Sequence, residues 1–174
     1  MFLACFKHFD RAFDLVTGVA FCAVMLVLAM IDLEHYLLPD VVTLPGIVLG
    51  LVLQPWLSWS TFREAALGAA IGAGCLYAVT WVYYRWRKVH GLGLGDVKML
   101  AMVGAFLGWK GVIATLFIGS LSGSAAGVGM MLRGRMHLQS KLPFGVFLAV
   151  GALVPLFFGR ELVDAYLSGT AVVL

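Results

Sequence analysis

Long uncharged runs separated by short polar connections dominate this 174-residue chain, and their lengths predict the elements. A helix that crosses a bilayer needs about 20 mainly apolar residues, because hydrocarbon offers no water to satisfy an irregular backbone. Five runs meet or approach that length: Leu15 to Ile31, Val41 to Leu57, Ala65 to Tyr84, Gly111 to Leu132 and Leu142 to Gly159. A sixth, Met99 to Trp109, has eleven uncharged residues. Started from Asp96 it holds fourteen, about 21 Å of helix against a ~30 Å hydrocarbon core. It is expected either to tilt into a thinned site or to be partly buried among its neighbours. The tail from Leu162 to Leu174 carries Asp164, is too short to span, and is expected at the interface. The pattern predicts an all-α integral membrane protein with about six transmembrane helices in one bundle, residues 1–174 forming a single membrane-embedded domain.

Composition supports this class: 62% of residues are hydrophobic and 12% charged, about half the charge of a soluble domain, which excludes a soluble globular protein and a disordered chain. The net charge of +3 comes from cations between the apolar runs, as membrane flanks and not as a nucleic-acid footprint. Counted from the amino terminus, the odd connections hold Arg85, Arg87, Lys88, Lys98, Arg133, Arg135 and Lys141. The other side holds Lys7, Arg11, Arg63, Lys110 and Arg160. The excess puts the odd connections in the cytoplasm. Charges at Lys7, Asp10, Arg11 and Asp14 precede the first run, and no small-residue cleavage signal clearly follows it, so that run reads as a retained helix rather than a signal peptide.

Among the 21 glycines, Gly68-x-x-x-Gly72 and Gly119-x-x-x-Gly123-x-x-x-Gly127 are spaced for close helix contact. Cys5, Cys22 and Cys75 cannot all pair, and none has a second cysteine at zinc-ligand spacing. Cys5 and His8 on one helical turn are too few for a structural metal site. Trp56, Trp59, Trp81, Trp86 and Trp109 fall near run ends, where an aromatic belt belongs.

Acidic side chains at membrane level are functional candidates because they are costly there. The first connection, Ile31 to Asp40, carries Asp32, Glu34 and Asp40 with no Lys or Arg, and the third ends in Gly91-Leu92-Gly93-Leu94-Gly95-Asp96-Val97-Lys98. Two spans lie between Asp32 and Asp96, so both carboxylates reach one membrane face. The alternating glycines leave room beside Asp96 for another backbone, such as an extended peptide substrate. One carboxylate taking a proton from water while its protonated partner polarises a scissile carbonyl is aspartic-protease chemistry. The plainer alternative makes Asp96 a helix cap and Asp32 a helix end; spacing alone leaves both open.

Three blocks carry a resemblance. Ile31-Asp32-Leu33-Glu34-His35-Tyr36-Leu37-Leu38-Pro39-Asp40-Val41-Val42-Thr43-Leu44-Pro45, the stretch from Gly91 to Trp109, and Lys141-Leu142-Pro143-Phe144-Gly145-Val146-Phe147-Leu148 resemble, in order, the signature blocks of the type IV prepilin peptidases. These are the bacterial branch of the GxGD membrane aspartyl proteases. The resemblance implies an endopeptidase of the bacterial inner membrane, its site toward the cytoplasm, cutting the basic leader of prepilins and pseudopilins after a glycine, in type IV pilus and type II secretion systems. It implies Asp32 and Asp96 as the catalytic pair, with no metal, cofactor or nucleic acid, and with membrane lipid as the surroundings. Gly93 and Gly95 flank the second aspartate. Full-length relatives also carry an amino-terminal helix and a loop with paired CxxC motifs associated with methylating the new pilin amino terminus. This sequence has no CxxC, so cleavage without methylation is expected.

The remaining block members have two readings each. Glu34 either holds the basic leader or is solvated at a helix end, and His35 either tunes the dyad or is interfacial. Asp40 is expected as the N-cap of the second span. Lys98 pairs with an acid or a lipid phosphate. Pro143, Phe144 and Gly145 shape the start of the last helix or touch substrate. Presenilin-type and serine intramembrane proteases fit less well, since neither Tyr-Asp, Pro-Ala-Leu nor Gly-x-Ser-Gly occurs. A small transporter or assembly factor moving protons or ions through the two aspartates is the non-protease alternative, weakened by the lack of an inverted repeat.

Overall fold

In a computed structural model, residues 12–58, 60–87, 93–132 and 143–171 are described. The Cys5 and His8 pair, Gly91, Lys141, Trp59 and the cations at Arg133 and Arg135 lie outside them. The described residues form helices and connections with no strand: α1 (Ala12–His35), α2 (Asp40–Leu53), a 3-10 turn (Gln54–Trp56), α3 (Phe62–Arg87), α4 (Leu94–Leu132) and α5 (Phe144–Ala171). Ala12–His35, Phe62–Trp86 and Leu94–Leu132 are long and apolar enough to cross a membrane, while Asp40–Trp56 and Phe144–Phe158 are shorter apolar helices. Helix α4 packs against α2, α3 and α5, and α1 packs against α5. The half of α4 that follows Asp96 is therefore the core: Met99, Leu100, Val103 and Ala105 are inaccessible to solvent.

The predicted spans Met99 to Trp109 and Gly111 to Leu132 are the two helical halves of α4, which meet at Gly108 with φ 72° and ψ −178°. Only glycine takes such a φ at little steric cost. A residue in this conformation cannot carry the i→i−4 ladder through, so the backbone before the break needs other partners. Gln54 supplies them. Its Nε2 donates to the Ala105 carbonyl at 2.8 Å and the Phe106 carbonyl at 3.2 Å. The Ser60 hydroxyl, 2.7 Å from Gln54 Oε1, is also 3.2 Å from the Phe106 carbonyl. Gln54→Leu should therefore lower stability by about 1–3 kcal/mol, the cost of a buried carbonyl left without its donor. Thermal unfolding in detergent checks this; an unchanged midpoint would mean that the break needs no side-chain donor.

Helix α3 starts with a capping box, in which the Thr61 N–H donates to Glu64 Oε2 at 3.0 Å and the Glu64 N–H to Thr61 Oγ1 at 3.4 Å. The small-residue spacing expected at Gly68 and Gly72 meets α4: added Cβ atoms would lie 2.5 Å from the Gly108 carbonyl carbon and 2.7 Å from the Leu100 oxygen. Gly119 and Gly123 face Phe147 of α5. Residues 162–171 of the tail expected at the interface continue α5 as helix to Ala171. Charges at Arg160, Glu161 and Asp164 end an apolar run, but they do not end the backbone hydrogen bonding of a helix.

Candidate active site

Asp32 belongs to the last turn of α1, where its carbonyl accepts the Tyr36 N–H at 2.9 Å and Tyr36 turns the chain out of the helix with φ 52°. Asp96 is the third residue of α4; its N–H donates to the Gly93 carbonyl at 3.2 Å, and its carboxylate reaches back toward the Gly93 N–H. That is the acidic half of a capping box, at the helix end whose dipole suits an anion. Both aspartates are buried, 5% and 8% exposed, and close enough for their charges to interact. Two helices separate them in sequence, so α1 ends where α4 begins.

A carboxylate near the C-terminus of its own helix meets the unfavourable end of that dipole. The free N-terminus of α5 offsets this for Asp32. The backbone N–H groups of Gly145 and Val146 face the carboxyl, although Oδ2 makes no hydrogen bond of good geometry and is fully enclosed. The approach depends on Gly145, since a Cβ there would lie 2.8 Å from Asp32 Oδ2. Pro143 precedes this helix and Phe144 packs against the core. The third sequence block thus touches the first through Gly145.

The other candidates divide. Lys98 Nζ lies 2.7 Å from both carboxylate oxygens of Asp40, so its partner is an acid. The expectation that Asp40 caps α2 fails. Pro39 occupies the N-cap with no side-chain bond, and Asp40, in the first turn, is engaged by Lys98 instead. This clasp joins the starts of α2 and α4 two residues from Asp96. Glu34 is exposed and within 3.9 Å of its neighbour His35, outside the buried pair.

Gly95 departs from its expected use. The space beside it, expected to admit a substrate backbone, is filled by Leu38: an added Cβ would lie 2.8 Å from Leu38 Cβ. Gly93 remains exposed, with Asp96 Oδ2 3.5 Å from its missing Cβ. Sequence reasoning assigns no role to Leu38. The available signal is a leucine inside an acidic connection, set against glycines in the other two blocks.

Two enclosed carboxyls, one ionised and one protonated, can activate water with one group and polarise a carbonyl with the other. Among the described residues no three His, Cys, Asp or Glu side chains converge as metal ligands.

The chain is similar to known leader peptidases. The model of the type IV leader peptidase family matches residues 19–128, which include both aspartates but not the Pro143 to Gly145 block. A prepilin leader peptidase/N-methyltransferase of Burkholderia pseudomallei (strain 1026b) is 39% identical over 138 residues, 79% of this chain and 45% of its own. Its counterpart in Xanthomonas campestris pv. campestris is 41% identical over 138 residues, 79% of this chain and 48% of its own. That of Pseudomonas aeruginosa is 34% identical over 144 residues, covering 83% of this chain and 50% of its own. The chain spans about half the length of the curated relatives it matches. No solved structure matches it.

Proposed function

Because this chain belongs to the type IV leader peptidase family, we propose that it is an aspartic endopeptidase that removes the basic leader from type IV prepilins and pseudopilins. The observation that carries the proposal is the burial of Asp32 and Asp96 together where α1 ends and α4 begins. A lone buried carboxyl suits many roles, whereas two sharing an enclosed site suit water activation against a peptide carbonyl. The catalytic cycle runs on one proton between them. The ionised carboxylate takes a proton from water as the oxygen attacks the carbonyl carbon, while the protonated partner donates to the carbonyl oxygen. As the C–N bond breaks, the first carboxyl gives its proton to the departing nitrogen and a hydroxyl of the tetrahedral intermediate returns one to the partner.

The wider reading is a single membrane-embedded unit with six spanning segments, Gly108 dividing α4 into two of them. Its site opens to the cytoplasmic face of the bacterial inner membrane, the side of the odd connections and of a prepilin leader. Exposed Glu34, close to the α1 end that carries Asp32, is available to a basic leader, so added salt should raise the apparent KM.

The test uses the purified full chain in detergent, with a prepilin encoded by the same organism and no ion gradient. Shortened pilin cut after the leader glycine is expected. A folded protein that leaves the prepilin intact would remove the peptidase reading, and transport of protons or ions in sealed vesicles would replace it.

A further inference from the structure

The connection between α1 and α2 contains two adjacent leucines with opposite fates: Leu37 is 65% exposed and Leu38 6%. The backbone on either side is constrained. Tyr36 holds φ 52°, a conformation rare for a bulky residue, and Pro39 holds φ −71°. Leu38 is thereby aimed inward at a fixed point of the chain.

Its side chain enters the space left by two missing Cβ atoms. At Gly95, in the first turn of α4 and next to Asp96, the three atoms nearest an added Cβ all belong to Leu38, at 2.8, 3.4 and 3.5 Å. At Gly145, in the first turn of α5, the nearest atoms are Asp32 Oδ2 and Cγ at 2.8 and 3.1 Å and then Leu38 Cδ1 at 3.2 Å. The element that follows Asp32, the turn that carries Asp96 and the helix end that faces Asp32 therefore meet on one leucine. Close-packed interiors transmit a change of one methylene to their neighbours.

We infer that Leu38 is a positioning residue of the aspartate pair, wedged between Gly95 and Gly145 so that its volume sets the separation of the two carboxyls. This rests on the peptidase reading for its kinetic consequence, but the spacing itself can be measured without any substrate. Leu38 carries no reacting group; it acts by fixing where Asp32 and Asp96 stand.

Removing the wedge lets the elements relax, and a misplacement of about 1 Å can lower a rate roughly a hundredfold. Leu38→Ala should lower kcat about tenfold to a hundredfold with KM little changed, while Leu38→Met, of similar volume, retains most of the rate. Two carboxyls that interact titrate in two separated steps, and the separation grows as they approach. The two limbs of the pH–rate profile should accordingly move apart in Leu38→Ala, where the gap closes, but not in Leu38→Met. Gly95→Ala, whose added Cβ meets Leu38 first, should also lower kcat and move the pH limbs, because Leu38 must shift to make room.

Infrared titration of the carboxyl bands, assigned with Asp32→Asn and Asp96→Asn, provides the substrate-free measurement. Steps farther apart in Leu38→Ala than in the wild type are expected. Unchanged separation, or a lower kcat with unmoved pH limbs, would assign Leu38 to bulk packing and overturn the inference. If the wild type cleaves no prepilin, the peptidase reading falls while the titration still decides the role of Leu38.

Discussion

Asp32→Asn and Asp96→Asn are each expected to lower leader cleavage by about 10⁴-fold or more, with the double variant no slower than the worse single one. Water activation against a carbonyl needs one group to accept a proton and one to give it; an amide does neither, so either loss stops the cycle. The isosteric change keeps both side chains in their enclosed positions. At the start of α4 an asparagine can make the helix-end contacts that Asp96 makes, and at the end of α1 the Asp32→Asn change adds no volume against Gly145. Loss of activity with an unchanged thermal midpoint in detergent is therefore the expected pairing. Single-turnover cleavage of a prepilin by the wild type, both single variants and the double variant provides the measurement. Independent, multiplying losses, or one single variant with near-normal rate, would show that the two carboxyls do not work as a unit.

The meeting of these two aspartates was legible because it depends on counting. Two apolar runs between Asp32 and Asp96 return the chain to the face it left, whatever the details of packing. Gly68 and Gly72 were legible for a similar reason, since small residues at that spacing expose backbone to a neighbouring helix. What was not legible depends on partners distant in sequence. The end of a run expected at Trp109 falls beside the break at Gly108, but nothing local selects Gly108 over Gly104 or Gly111 to take positive φ. Glu64 of α3 comes within 3.3 Å of where its Cβ would be, and Gln54 donates to the Ala105 and Phe106 carbonyls just before it. Asp40 reads as a cap from its position before a helix, but Lys98, 58 residues later, competes for the same carboxylate and engages both oxygens. Leu38 gives the same lesson in apolar form: room beside a glycine is visible in sequence, and what fills it is not.

The glycines of α3 and α4 yield an expected result of opposite signs from one kind of substitution. Gly104→Ala should destabilise the protein by about 1–3 kcal/mol or more, whereas Gly74→Ala should stabilise it by roughly 0.5–1 kcal/mol. A Cβ at Gly104 would collide with both the carbonyl carbon and the oxygen of Gly68 and lie 2.7 Å from the Ala69 nitrogen. All three are backbone atoms, which cannot rotate aside as a side chain would, so α3 and α4 must separate along their shared interface. That separation also strips contacts from Leu100 and Val103, which are fully buried. At Gly74 nothing lies within 4 Å of the added atom, leaving only the gain from restricting the unfolded backbone and improving helix propensity. Both substitutions add one methyl group to a helix, so a general effect of hydrophobicity would move them in the same direction. Thermal midpoints of the two variants in one detergent separate the explanations. If both rise or both fall together, the close approach of Gly68 and Gly104 is not what holds α3 to α4.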